Sequence, residues 1–185
     1  MGALTARLAV PHRADARRNY EKLLVGARDA FDELGASAPL DEIAKRAGVG
    51  IATLYRNFPT RDALFEAVYV HEVEALCESV AKLDGLPPWE SLRRWLLTFS
   101  AFIMAKRAFG EEMAHDTPTV LACRQAIYAA GTPLLKAAQK DGIVRHDVDI
   151  DDVLRMFSGL AMIHFVRAGQ FDLITGVAFD GLRHR

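Results

Sequence analysis

The sequence predicts an all-α protein, with an N-terminal three-helix helix-turn-helix domain followed by a C-terminal helical domain. Apolar residues recur at three- and four-residue spacing along the chain, the period of helices with one buried face. Glycines and prolines punctuate those runs, at Gly35, Gly48, Pro59, Gly85 and Pro87–Pro88. Two short periodic segments also flank a glycine turn at 39–58, PLDEIAKRAGVGIATLYRNF.

Residues 1–16 lack a stable period and read as a flexible basic arm. Arg13, Arg17 and Arg18 lie at its junction with the first helix. Such an arm can follow a DNA backbone or enter a minor groove, and a solvated tail fits the same residues. The first helix is expected from about Arg18 to Leu34, its buried face formed by Tyr20, Leu23, Leu24, Ala27, Ala30, Phe31 and Leu34. Gly35 ends it.

Ile43, Ala44 and Ala47 define an amphipathic helix over 40–47, with Pro39 at its start and Asp41 and Glu42 at its positive end. Gly48 stops it and Val49 plugs the turn. A second helix follows over 51–57, anchored by Leu54 and Phe58, which point inward four residues apart. Helix, glycine turn and helix form the unit that reads a DNA major groove, although an ordinary helical hairpin has the same outline. Ile51, Ala52, Tyr55 and Arg56 then fall on or near the outer face, where apolar side chains suit thymine methyls. Thr53, Tyr55 and Asn57 can donate to phosphates, and Arg56 is long enough for a guanine edge or a phosphate. Thr60 is a good N-cap for the next helix, at whose start Arg61 is expected to clamp a phosphate. Lys45 and Arg46 are weaker contact candidates and suit a solvated face equally well.

TLYRNF resembles the T-L-Y-x-H-F signature of TetR-family transcriptional regulators, and PTRDALFEAV resembles the P-S-K-E-A-L that opens their next helix. The likeness extends to Phe31 and Gly35, to Glu42–Val49 and to the terminal DGLR of Asp180–Arg183. The recognition segment is similar to an actinobacterial type, AGVGIGTLYRHFPTREAL, from which Ala52 departs for Gly and Asn57 for His. The resemblance implies phosphate contacts at Thr53 and Tyr55. It also implies a ligand-responsive DNA-binding regulator, and two C-terminal helices that pair with their copies as a four-helix bundle.

The helix from Arg61 is expected to reach about Leu83, linking the head of 17–62 to an effector-binding and dimerisation domain over 63–185. Trp89, Leu92, Trp95, Phe99 and Phe102 give the next helix a wide apolar face, and 108–116 reads as a short helix or loop. Thr117 and Pro118 start a helix to about Lys140, with Pro133 expected to kink it because its ring meets the Ala129 carbonyl. A kink there would leave room for a cavity. Trp95, Phe99, Phe102, Met113, Cys123, Ile127, Tyr128 and Met162 are the lining candidates for a small apolar or aromatic effector, though each also suits a plain core. Met104 and His115 are further lining candidates on the same terms. Asp149 or Asp151 caps a helix running to about Ala168, followed by one over 171–183. Val153, Phe157, Leu160, Ala161, His164, Ile174, Val177, Ala178 and Leu182 form apolar stripes that a homodimer would bury, unless they cap a monomer's core.

At 51% apolar, the 185 residues can bury a sizeable core. Residues 1–61 carry ten Lys/Arg against seven Asp/Glu, and 62–185 thirteen against seventeen, so a basic front precedes an acidic body. Cys77 and Cys123 read as free thiols, and His115 and His164 as satisfied or surface histidines. No zinc spacing, phosphate loop, paired carboxylates or nucleophilic triad is present, so neither cofactor, metal nor enzymatic activity is expected. Nothing resembles a signal peptide, and the longest apolar run, Trp95–Ala105, is too short for a bilayer; a cytoplasmic protein is expected. The rival to DNA binding is a helical small-molecule-binding or interaction module, against which Thr53, Tyr55 and Arg61 argue.

Overall fold

The computed structural model describes residues 4, 5, 8, 10–108 and 117–183. Eight α-helices follow one another among them: α1 (Ala14–Leu34), α2 (Leu40–Arg46), α3 (Ile51–Asn57), α4 (Arg61–Glu78), α5 (Pro88–Ala108), α6 (Pro118–Lys140), α7 (Ile150–Met162) and α8 (Gln170–Leu182). They contribute to two compact units. One comprises Met1–Glu74 with Ala105–Cys123, the other Ala75–Met104 with Arg124–Arg185.

In the first unit, α1 starts at Ala14, earlier than its apolar period suggests, because polar residues can extend a helix beyond its buried face. The segment before it is less free than expected. Leu4 is buried, and Leu8 and Val10 pack on the core of the unit. Leu34 also departs from expectation: it is 44% exposed, at the last turn before Gly35 (φ 76°) carries the chain away. The rest of the predicted face is buried, with Phe31 stacked on Phe65 at 4.3 Å and Tyr20 against Phe58 at 4.9 Å.

α1 and α2 approach closely at Gly26, where a Cβ would lie 3.0 Å from the Ala47 nitrogen and 3.2 Å from the Ile43 carbonyl oxygen. Arg46 bridges the same two helices, reaching Glu42 at 3.0 Å and Glu33 at 2.7 Å. Between α2 and α3, Gly48 adopts φ 65°. Its Cβ would meet nothing, so the backbone conformation rather than space requires glycine there.

α4 gives way to a 3-10 segment at Ser79–Leu83 instead of running on as an α-helix. The Leu76 carbonyl is engaged where this happens, accepting from the Ser79 hydroxyl at 2.6 Å and from the Trp95 indole at 3.4 Å.

In the second unit, α6 continues through Pro133 to Lys140. Trp95 and Ile150 pack directly on Gly131: a Cβ there would lie 2.6 Å from the Trp95 ring and 2.9 Å from Ile150. Asp149 caps α7 in a reciprocal box with Asp152, and Asp151 instead accepts from Tyr128 and, at 2.5 Å, from Arg155. Arg155 and Tyr128 hold the Asp151 carboxyl below the usual carboxylate range. α7 ends at Met162, not Ala168. Ile163 turns extended, Gly169 adopts φ 71°, and the Gln170 side chain accepts from the Val166 N–H at 3.0 Å. His164 therefore lies beyond the helix.

The buried Gln139 amide donates to the carbonyls of Arg145 and Val148, each at 3.0 Å. Arg145 in turn donates its backbone N–H to Leu182 at 3.0 Å, tying the α6–α7 loop to the end of α8.

Gly131→Ala should lower stability by about 1–3 kcal/mol, because overpacking against Trp95 outweighs the gain in helix propensity of about 1 kcal/mol. Gln139→Leu should cost about 1–3 kcal/mol, because two loop carbonyls lose their donor. Urea unfolding measures both. In acid, the stability contributed by Asp151 is complete above its unfolded pKa and disappears as pH falls through the lower folded value. Asp151→Asn should therefore flatten the acid limb of a melting-temperature profile.

Candidate nucleic-acid interface

Leu54 and Phe58 sink fully into the first unit, and this sets which way α3 faces. Ala52, Tyr55 and Arg56 are left exposed, Tyr55 by 50%. Thr53 is half-buried, while Ile51 is half-buried against the core of the unit. A short helix thus presents a small methyl, a phenol and a guanidinium on one accessible surface. Those groups can meet, respectively, a thymine methyl, a phosphate oxygen, and a guanine edge or phosphate.

Several neighbouring polar groups are already engaged. Asn57 donates to the Thr53 carbonyl at 2.8 Å, closing the last turn of α3. Arg56 lies 3.4 Å from the Thr53 hydroxyl. Thr60 caps α4 by accepting from the Ala63 N–H at 3.1 Å. Arg61, expected as a phosphate clamp, is half-buried and donates to the Ala36 carbonyl at 2.9 Å. It ties the start of α4 to the loop after α1, so its first role here is to position the head.

Lys45 stays exposed, 3.8 Å from Glu42. Arg46 is committed to the α1–α2 bridge, and its hydrogen bond holds the Glu42 carboxyl below the usual range. Arg17 pairs with Glu21 at 2.9 Å and Arg18 with Asp15, so both are exposed cations with acids beside them on their own helix.

The effector candidates are scattered in burial. Trp95, Phe99, Cys123 and Ile127 are buried, Phe102 and Tyr128 half-buried, and Met162 is 55% exposed at the end of α7. Cys123 belongs to the first unit and the other described candidates to the second. Met113 lies outside the described residues, as do His115 and most of 108–116. Trp95 stacks on Phe99 and fills the space beside Gly131, as a core residue does. A groove of about 290 Å³ lies elsewhere in the second unit, along Trp89, Arg93, Thr175, Phe179 and Arg183. Among the described residues no group of three or more His, Cys, Asp or Glu is placed to hold a metal ion.

The expected dimer stripe divides in two. Val153, Phe157, Ala161 and Leu182 are buried within their own protomer, because α7 and α8 need an inner face before they can offer an outer one. Leu160, Ile174 and Ala178 are half-buried, and His164 and Val177 exposed. Apolar exposure on this end of the chain falls instead on Met156, Met162, Ile163, Val166, Leu173 and Val177.

Residues 23–68 match the bacterial regulatory proteins of the tetR family. Residues 87–184 match the C-terminal domain of SbtR-like transcriptional regulators. The TetR transcriptional regulator SCO0520 from Streptomyces coelicolor is 38% identical, with 89% of this chain and 98% of that chain covered at a TM-score of 0.72. The chain belongs to the TetR family of transcriptional regulators. A TetR transcription regulatory protein from Mycobacterium vanbaalenii is 32% identical, with 94% of this chain and all of that chain covered, again at 0.72. CprB from Streptomyces coelicolor, solved in complex with its operator, shares the fold at 21% identity and a TM-score of 0.65, with 90% of this chain and 89% of that chain covered.

TetR-family proteins are regulators, not enzymes. Among the described residues no helix is long and apolar enough to cross a membrane. Sequence reasoning missed Gly26 and the Arg61–Ala36 tie in this regulator. A glycine inside an otherwise unbroken helical pattern was the available signal for the first. The second had none, because it joins residues 25 positions apart.

Arg61→Ala should lower the melting temperature of the regulator, whereas Tyr55→Ala, at an exposed position, should leave stability within about 0.5 kcal/mol. Equal destabilisation by both would show that Tyr55 also supports the core.

Proposed function

We propose that this TetR-family member, of the actinobacterial type, is a dimeric, ligand-responsive transcriptional repressor that binds a near-palindromic operator in the cytoplasm. The observation that supports this reading most is the division of α3: Leu54 and Phe58 anchor it while Ala52, Tyr55 and Arg56 stay exposed. Two such helices, brought about 34–36 Å apart by two-fold symmetry, enter successive major grooves. Thr53, Tyr55 and Arg56 contact the DNA, with Lys45, Arg17 and Arg18 near the backbone. The exposed apolar residues of α7, α8 and their connection, Val177 at 67% exposure above all, are the surface that a second copy covers.

A small apolar or aromatic effector releases the DNA by favouring a body shape with another spacing of the heads. It acts only through its differential affinity for the two shapes.

A gel shift with the DNA upstream of its own gene tests the proposal. Wild-type protein should retard a palindromic fragment, and affinity should fall about tenfold or more as salt rises from low to moderate. Tyr55→Ala should weaken binding by about tenfold with the dimer intact, the loss of one good contact. Val177→Asp should instead dissociate the dimer in analytical ultracentrifugation and abolish operator binding with it. Salt-insensitive binding, or a dimer unmoved by Val177→Asp, would refute the phosphate contacts and the interface respectively.

A further inference from the structure

Helix α4 holds the chain's N-terminal segment through one carboxylate. The Thr5 backbone N–H donates to Glu74 Oε1 at 2.7 Å, and the Thr5 hydroxyl donates to Glu74 Oε2. These two bonds join residues 69 positions apart. A local turn follows them: Leu8 N–H donates to the Thr5 carbonyl at 3.0 Å and Val10 N–H to the Leu8 carbonyl at 2.9 Å. Leu4 is buried, and Leu8 and Val10 rest on the core of the first unit. Three residues after Val10 comes Arg13, the N-cap of α1, which has no side-chain capping bond. The first turns of α1 carry Arg17 and Arg18.

Glu74 is also the last residue of the first unit's N-terminal stretch, on the helix that continues into the second. Tyr20 lies buried within reach of its charge, and among the described residues its hydroxyl has no hydrogen-bond partner. Burial and the Glu74 charge together push that phenol up to about 12, so it stays protonated. Carboxylate, Thr5 and phenol thus share one part-buried flank of the first unit.

We infer that Thr5 and Glu74 form a clasp that pins the N-terminal segment to α4 and thereby keeps the basic start of α1 ordered for DNA. A helix N-terminus without a capping side chain frays readily. Here the preceding residues are tied down instead, at a point on α4 that moves with that helix. A shift of α4 at Glu74 would therefore loosen the arm. The DNA part of this inference rests on the reading above, whereas the clasp stands on its own geometry.

Full-length wild type, Glu74→Ala, Thr5→Ala and the double variant separate the two parts. Amide hydrogen exchange at position 5, Leu8 and Val10, followed by NMR, should accelerate about tenfold or more in Glu74→Ala and by a smaller factor in Thr5→Ala, which keeps the backbone bond. The double variant should add little to Glu74→Ala, because that change already removes both bonds, whereas Thr5→Ala removes only the hydroxyl's. Operator affinity in the gel shift should fall about three- to tenfold in the same variants, since an arm loosened in the free protein must be ordered on binding. Thr5→Ala changes a half-buried position and leaves the core in place, so it remains informative if Glu74→Ala folds poorly. Unchanged exchange in both single variants overturns the clasp. Faster exchange with unmoved operator affinity overturns its role in binding. Failure of the wild type to bind any DNA would instead sink the regulator reading, and leave the exchange result standing.

Discussion

A seven-residue helix cannot hold itself together in water. Isolated helices shorter than about 12–15 residues are marginal even with favourable sequences. α3 spans only Ile51–Asn57, so it exists because Leu54 and Phe58 are inserted among Tyr20, Phe31 and their neighbours. Each such burial contributes about 1.5–3 kcal/mol relative to exposure, more than the helix lacks on its own. The same insertion leaves Ala52, Tyr55 and Arg56 no direction but outward. Stability and the exposed face of α3 are two results of one packing event.

Everything else in the head serves the angle of that helix. Gly26 lets α2 approach α1 to backbone distance, and Arg46 then bridges the contact to Glu42 and Glu33. Gly48 takes the left-handed conformation that closes the turn, and Arg61 secures the far side through the Ala36 carbonyl. Two arginines with the right charge for phosphate therefore also hold the architecture together. In a small domain the cations beside a binding surface are also those within reach of internal carbonyls and carboxylates, and pairing costs them little desolvation at half-exposed sites.

The second unit follows a similar economy with larger parts. Trp95 fills the space that Gly131 leaves in α6 and also donates to the Leu76 carbonyl, where α4 tightens. Gln139 and Arg145 fasten the α6–α7 loop to α8. With their inner residues packed, α7 and α8 keep Met162, Leu173 and Val177 outside, an apolar surface of the kind that a partner covers.

The order of helices, the starts of those after α1 and the inward pair on α3 were legible in residue order, since each depends on local period, caps and glycines. α2 and α3 occupy the expected spans, and Thr60 caps α4 as its chemistry suggests. The outward Ala52, Tyr55 and Arg56 followed from the same period, whereas Ile51, expected outside, packs on the core because it lies at the first turn beside it. What residue order left open needed a third dimension. Val153 and Val177 look alike as apolar positions on helices, yet one is buried in its own chain and the other stands 67% exposed. Leu34 satisfies the helical period and still faces water, because the chain departs at Gly35. Arg61 and Thr5 find partners 25 and 69 residues away. Periodicity reports which side of a helix is apolar; what covers that side, and which donor meets which acceptor, depends on elements far along the chain.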